Sequence, residues 1–175
     1  MAKIEDSMPY LLENEGGLTL DDGGLTNFGI VKDDLAEYQG VPVNQITDEQ
    51  IKALTKESVV PIYQELYWKA LKLDDVTDQN IATAIFDTAV NRGVRICANY
   101  AQRTCVQLGH EDLLTDGRVG PKTLAAINQC ARAAFIRTFE GLVWEGYKAI
   151  LIRYPRDVIY QKGWQARAER LLTLI

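Results

Sequence analysis

Glu15 sits at the end of an apolar helical pattern and is followed by two glycines. Ile4, Met8, Leu11 and Leu12 recur at helical spacing, and Glu15 lies seven residues past Met8, so it falls on the same face. A carboxyl group held against apolar neighbours keeps its proton toward neutral pH, because desolvation disfavours the charged form. Asp21 and Asp22 follow, then Gly23-Gly24 and Thr26. Cleavage of a glycosidic bond needs a proton for the leaving oxygen and stabilisation of an oxocarbenium-like transition state on the other side. Glu15 suits the first role. Asp21 or Asp22 suits the second, and the Thr26 hydroxyl can hold a water. The same residues also suit a helix end and a turn with no chemistry attached, since Gly16-Gly17 stop a helix and Asp22-Gly23-Gly24 makes a hairpin turn.

The elements that must position these groups are mostly helical. The first helix carries Pro9, which either kinks it or marks a start near Ser7 with the proline in the first turn. Leu18 to Phe28 reads as a short hairpin. Thr47, with Gln50 three residues on, is an N-cap signal for a pattern running through Ile51, Leu54, Val59, Ile62, Leu66 and Tyr67, with a kink or break at Pro61. Thr77-Asp78 opens a helix with Ile81, Ile85, Phe86 and Ala89 inward, ending near Arg92-Gly93. A helix over about Ile96–Leu108 and another from Pro121 follow. A long helix with Phe135, Phe139, Leu142, Val143 and Tyr147 on one side ends at Pro155, and a last one carries Trp164, Arg167 and Leu171. The expected fold class is mainly α (α+β), a helical body with one small β-hairpin near the N-terminus. The expected organisation is a catalytic lobe over residues 1–94 and a helical lobe over 95–175, packed as one body.

The chain has 175 residues, enough to bury a core without metals or disulfides. Its net charge of −5 is uneven. Residues 1–60 hold twelve acids and four lysines, a balance of −8, which leaves +3 for the remainder. The basic part is the C-terminal stretch with Arg132, Arg137, Lys148, Arg153, Arg156, Lys162, Arg167 and Arg170. With this sign and no nucleic-acid motif, nucleic acid is not an expected partner. Cys97, Cys105 and Cys130 are an odd set with no paired spacing, read as reduced, mostly buried thiols. With His110 the only histidine, no zinc site forms from them. No run of about 20 apolar residues marks a membrane span, and no signal peptide follows Lys3.

In combination, Glu15-Gly16-Gly17, Asp21-Asp22-Gly23-Gly24, Thr26 and Gly29-Ile30 resemble the signature of glycoside hydrolase family 108, lysozyme-like N-acetylmuramidases of phage endolysins and some bacterial proteins. Tyr67-Trp68 and Phe86-Asp87-Thr88-Ala89-Val90-Asn91-Arg92-Gly93 resemble further motifs of that family. Asp116-Gly117-Arg118-Val119-Gly120-Pro121-Lys122-Thr123 resembles its predicted peptidoglycan-binding region, and Gly163-Trp164 with Arg167 its closing motif. Two departures stand out: the loop between the glycine pairs is short, and Asp22 occupies the place of the family's proline. The short loop leaves Asp21 and Asp22 both open as the second carboxylate.

The resemblance implies a lysozyme-like fold and a peptidoglycan hydrolase that cleaves the β-1,4 bond between N-acetylmuramic acid and N-acetylglucosamine. Glu15 would be the general acid, with Asp21 and Thr26 on the opposite side. Asn91 and Tyr67 are candidate substrate contacts; Asp87, one turn before Asn91, reads as structural, and Trp68 equally suits the core. No metal or cofactor is implied. The expected partner is bacterial peptidoglycan, reached by a monomer that waits in the host cytoplasm until lysis and then meets the wall. A lytic transglycosylase using the same acid is the alternative enzyme, and a non-catalytic wall-binding module the alternative outside enzymes.

Overall fold

α1 (Ile4–Asn14) buries Ile4, Met8 and Leu11. In a computed structural model of the chain, it lies along α5 (Gln79–Arg92), the element that carries most of the core contacts of the N-terminal half. The structure describes every residue except 15–16 and 22–23, and the side chains of residues 14 and 21 also fall outside the description. Among the described residues there are nine α-helices and one two-stranded sheet. The α1–α5 contact is not purely apolar. Ser7 and Thr83 share a hydroxyl hydrogen bond of 2.7 Å in the interior, and Gln79 Nε2 donates to Ser7 Oγ and to the Lys3 carbonyl. α1 begins at Ile4 rather than near Ser7, and Pro9 sits inside it with its ring at the surface.

The hairpin pairs β1 (Thr19–Asp21) with β2 (Gly24–Thr26) in antiparallel register, Thr19 opposite Thr26 and Asp21 opposite Gly24. α2 (Lys32–Gln39) follows and ends at Gly40, whose φ of 66° is the left-handed conformation that closes a helix. Its apolar content facing the core is only Leu35 and Ala36, so the sequence gives no periodic signal there.

The single helical pattern expected from Thr47 to Tyr67 is two helices. α3 (Asp48–Lys52) starts at the Thr47 cap, whose Oγ1 accepts from Gln50 N while Gln50 Oε1 accepts from Thr47 N. Thr55 then caps α4 (Lys56–Tyr63) in the same way through Ser58. The break falls before this second cap rather than at Pro61, which lies within α4. The chain continues as a π-turn over Gln64–Trp68, closed by Lys69 N donating to the Gln64 carbonyl.

α6 (Val94–Gln107) leaves α5 at Gly93, two residues earlier than the sequence pattern suggests. α7 (Pro121–Gln129) starts on its proline. α8 (Arg132–Arg153) is the long strut, packed on α6 and α5 and ended before Pro155. A 3-10 segment over Pro155–Tyr160 turns the chain into α9 (Gln161–Arg170), which lies back along α8. The helices after Gly93 therefore close over the elements before it. No helix among the described residues is long and apolar enough to cross a membrane.

Candidate active site

α1 delivers the chain to Glu15, and Arg170 of α9 holds its last turn. Arg170 Nη1 donates to the Tyr10 carbonyl at 2.8 Å, its Nη2 contacts Glu13 Oε2 at 2.5 Å, and its guanidinium stacks 3.8 Å from the Tyr10 ring centre. One helical turn earlier, Arg167 makes a fork with Asp87 of α5. Nε reaches Oδ2 at 3.1 Å, and Nη2 reaches Oδ1 at 3.0 Å and the Asp87 carbonyl at 3.3 Å. The Asp87 side chain is 2% exposed and that of Arg167 14%. Burial, and then the negative charge of Asp87, push the Tyr10 phenol up to about 12. Glu15 itself lies outside the described residues, so what is on view is the scaffold that ends one residue before it.

The hairpin is held at its open end. The hydroxyls of Thr26 and Thr19 meet across the strands at 2.7 Å, so the Thr26 side chain that the sequence offers for holding a water is engaged with Thr19. Asp21 stands opposite Gly24 in the last pair before the turn, with its carboxylate outside the description, and Asp22 lies outside it altogether. Asn27, buried, anchors the exit of β2: its Nδ2 donates to the carbonyls of Ile51 at 3.0 Å, Lys52 at 3.3 Å and Leu54 at 3.1 Å, at the end of α3 and in the loop after it. Phe28 adopts φ of 50° and Gly29 of 77° in the tight turn that follows, and the Phe28 carbonyl accepts from the Tyr63 hydroxyl at 2.7 Å.

Tyr67 is half-buried, tilted against Tyr63 at 5.9 Å, and donates its hydroxyl to Asp34 Oδ1 at 3.0 Å. Trp68 belongs to the core: it is fully buried, meets Phe86 edge to face at 5.4 Å and donates its indole N–H to Asp74. Asn91 is exposed on the last turn of α5, with Oδ1 accepting from the Tyr147 hydroxyl at 2.5 Å. Tyr147 in turn stacks on Trp164 at 5.2 Å with 15° between the rings. Tyr67 is thus tied to the hairpin exit through Tyr63, whereas Asn91 is oriented from α8.

Sequence reasoning passed over two groups here. Asp34 is a half-buried carboxyl on the first turn of α2; it accepts from Val31 N and from Tyr67, and desolvation raises it above the ordinary 3.8 despite those bonds. Its only sequence signal is an acid three residues into a helix. Tyr147 reads in sequence as a core position of α8, and its hydroxyl reaches a residue 56 positions away. The Asp116–Thr123 stretch uses its polar groups on itself. Asp116 Oδ1 accepts from Gln102 Nε2 and Arg118 N, and Gly117 N donates to Gln102 Oε1. A side chain at Gly117, whose φ is 74°, would also meet Arg95 at 2.8 Å. Among the described residues no group of three or more His, Cys, Asp or Glu could hold a metal.

The model of the Glycosyl hydrolase 108 family matches residues 8–93. Residues 8–93 belong to glycosyl hydrolase family 108. The family 108 stretch runs from α1 through Glu15 and the hairpin to the end of α5, the same elements assembled above. A solved structure, Brucella abortus SagA, superposes with a TM-score of 0.77 at 28% sequence identity, covering 97% of this chain and 91% of SagA. No curated protein sequence matches the chain. The protein is a glycoside hydrolase, and more closely a peptidoglycan hydrolase of the lysozyme-like kind.

Proposed function

We propose that the protein is an N-acetylmuramidase that cleaves the β-1,4 bond between N-acetylmuramic acid and N-acetylglucosamine in peptidoglycan. The observation that carries this reading is the family 108 match over residues 8–93, which includes the Glu15-Gly16-Gly17 and Asp21 to Thr26 motifs. Glu15 protonates the leaving oxygen. Asp21 and Thr26 stabilise the developing cation or position a water on the other side of the sugar. Asn91, fixed by Tyr147, offers its amide N–H to the sugar's acyl group, and the Tyr67 ring supports a sugar face.

The last turn of α1 before Glu15 is held by Arg170 on the Tyr10 carbonyl. The test is Glu15→Gln, nearly isosteric and without the acid. Reducing ends released from purified sacculi should fall by about 10²-fold or more, as for loss of a general acid. A variant that keeps the wild-type rate removes Glu15 from the mechanism. Mass spectrometry of the products separates hydrolysis from transglycosylation, because an anhydro end lacks one water.

A role in host-cell lysis is proposed with it, on the resemblance to phage endolysins. Cells expressing the protein should clear only when their inner membrane is permeabilised. Clearing without permeabilisation would remove the requirement for release by another agent.

A further inference from the structure

We propose that the groove between α6 and α8 binds the acidic stem peptide of peptidoglycan, beside the glycan-cleaving site; this rests on the peptidoglycan reading above. The groove, about 540 Å³, is lined by Arg92 from the end of α5, Arg103 from α6 and Arg153 from the end of α8, with Tyr100 and Tyr154 between them. Glu145 is the only carboxylate among its lining residues. Three arginines from three helices thus line one concave surface on a chain whose net charge is −5. Elsewhere the α8 and α9 arginines Arg132, Arg167 and Arg170 pair with carboxylates of other elements. No such pair forms at Arg92, Arg103 or Arg153 among the described residues.

A second observation points to a ligand. Arg92 Nε is out of solvent and has no hydrogen-bond partner among the described residues. A buried donor left so is unfavourable unless an acceptor arrives. The Arg92 guanidinium is held 5.1 Å over the Tyr147 ring, and the Tyr147 hydroxyl holds Asn91, so the groove begins where the candidate sugar contact ends. The floor is built for close approach. A Cβ on Gly146 would collide with the Tyr100 hydroxyl, so the glycine lets the tip of that ring reach the backbone of α8 within the groove.

The chemistry selects carboxylates. A guanidinium fork matches a carboxylate with two parallel hydrogen bonds. A stem peptide carries several carboxylates on a short chain that hangs from the lactyl group of the same muramic acid whose glycosidic bond is cut. A groove adjoining the glycan site is within reach of that chain.

The experiment uses the double variant Arg103→Gln/Arg153→Gln, which leaves Arg92 on Tyr147 and Asn91 untouched. Two substrates are compared: sacculi, and glycan strands stripped of their stems by an amidase. On sacculi KM should rise about ten-fold, the factor given by about 1.4 kcal/mol of lost binding, with kcat retained. On stripped strands wild type and variant should be alike. In parallel, calorimetry with a synthetic stem peptide should show binding by the wild type and at least ten-fold weaker binding by the variant.

Equal loss on both substrates, no loss on either, or no peptide binding by the wild type overturns the proposal. So does binding of a phosphate-bearing wall polymer with no preference for the stem peptide. If the wild type releases no reducing ends from either substrate, the muramidase reading fails, and the calorimetry alone decides the groove.

Discussion

Arg167→Ala removes the partner of a carboxylate that is almost wholly inside the protein. Asp87 is 2% exposed and receives two guanidinium hydrogen bonds of 3.1 and 3.0 Å from Arg167. Truncating Arg167 leaves that charge in a low-dielectric site without its fork, an effect of about 3–5 kcal/mol when a buried pair is broken from one side. For a chain of this size about 2–4 °C of Tm accompanies each kcal/mol, so the expected loss is about 6–20 °C. The assay is thermal melting by circular dichroism, with urea unfolding to convert the shift into free energy. Arg167→Lys keeps a positive charge without the fork and should fall between wild type and Arg167→Ala. The double variant Asp87→Leu/Arg167→Met removes both charges and should be less destabilised than Arg167→Ala, because no unpaired charge is left behind. Melting of Arg167→Ala within about 2 °C of wild type would refute this reasoning, since it leaves less than about 1 kcal/mol for the pair. A double variant less stable than the single would refute it too, by showing that side-chain volume rather than charge sets the effect.

Asn27→Ala removes the amide donor shared by the carbonyls of Ile51 and Leu54 and should destabilise the protein by about 1–3 kcal/mol, with faster limited proteolysis between β2 and α2; unchanged cleavage there would remove the anchoring role of Asn27. Asp34, raised above 3.8 by burial, keeps its proton in the folded chain over an interval where the unfolded chain has lost it. Its contribution to stability therefore falls as pH rises through that interval, and Asp34→Asn should flatten this part of the stability profile; an unchanged slope would refute the assignment. Cys97 donates its thiol to the Ile85 carbonyl from a fully buried position, and burial raises it well above 9.0, so iodoacetamide should label it only after denaturation. Half-buried Cys130 should react first, and intact-mass spectrometry of the native protein would expose the contrary order.

The sequence was most readable where structure is made locally. The caps at Thr47 and Asp78, the Pro121 start and the Pro155 stop each rest on a bond or a missing donor within a few residues, and each appears in the fold. α2 was not readable because its inward face is two residues, Leu35 and Ala36, amid charged ones. The break between α3 and α4 was hidden because Ile51, Leu54 and Val59 keep a helical phase across it, and only the Thr55–Ser58 cap betrays it. Of the site, the motif residues were legible as types and spacings. Their supports were not: Arg167 to Asp87 spans 80 positions, Tyr147 to Asn91 spans 56, and Asn27 to Leu54 spans 27. No periodicity encodes such pairs, because each depends on two helices meeting at a particular height and angle.

Those long-range pairs also bear on what the C-terminal helices are for. The family match ends at Gly93, yet α8 and α9 support that half of the chain with directed polar contacts as well as through the shared apolar core. Arg170 holds the end of α1, Arg167 holds the middle of α5, Tyr147 holds its last turn, and Arg132 holds its cap through Asp78 at 2.8 Å. A wall-binding module joined to a finished catalytic body would need none of these. Four separate contacts along α1 and α5 mean that α8 and α9 set the height and rotation of the two helices that lead to Glu15 and Asn91. The basic residues of that region divide accordingly. Arg132, Arg167 and Arg170 are taken up by this bracing, whereas Arg103 and Arg153 join Arg92, at the end of α5, in lining the groove.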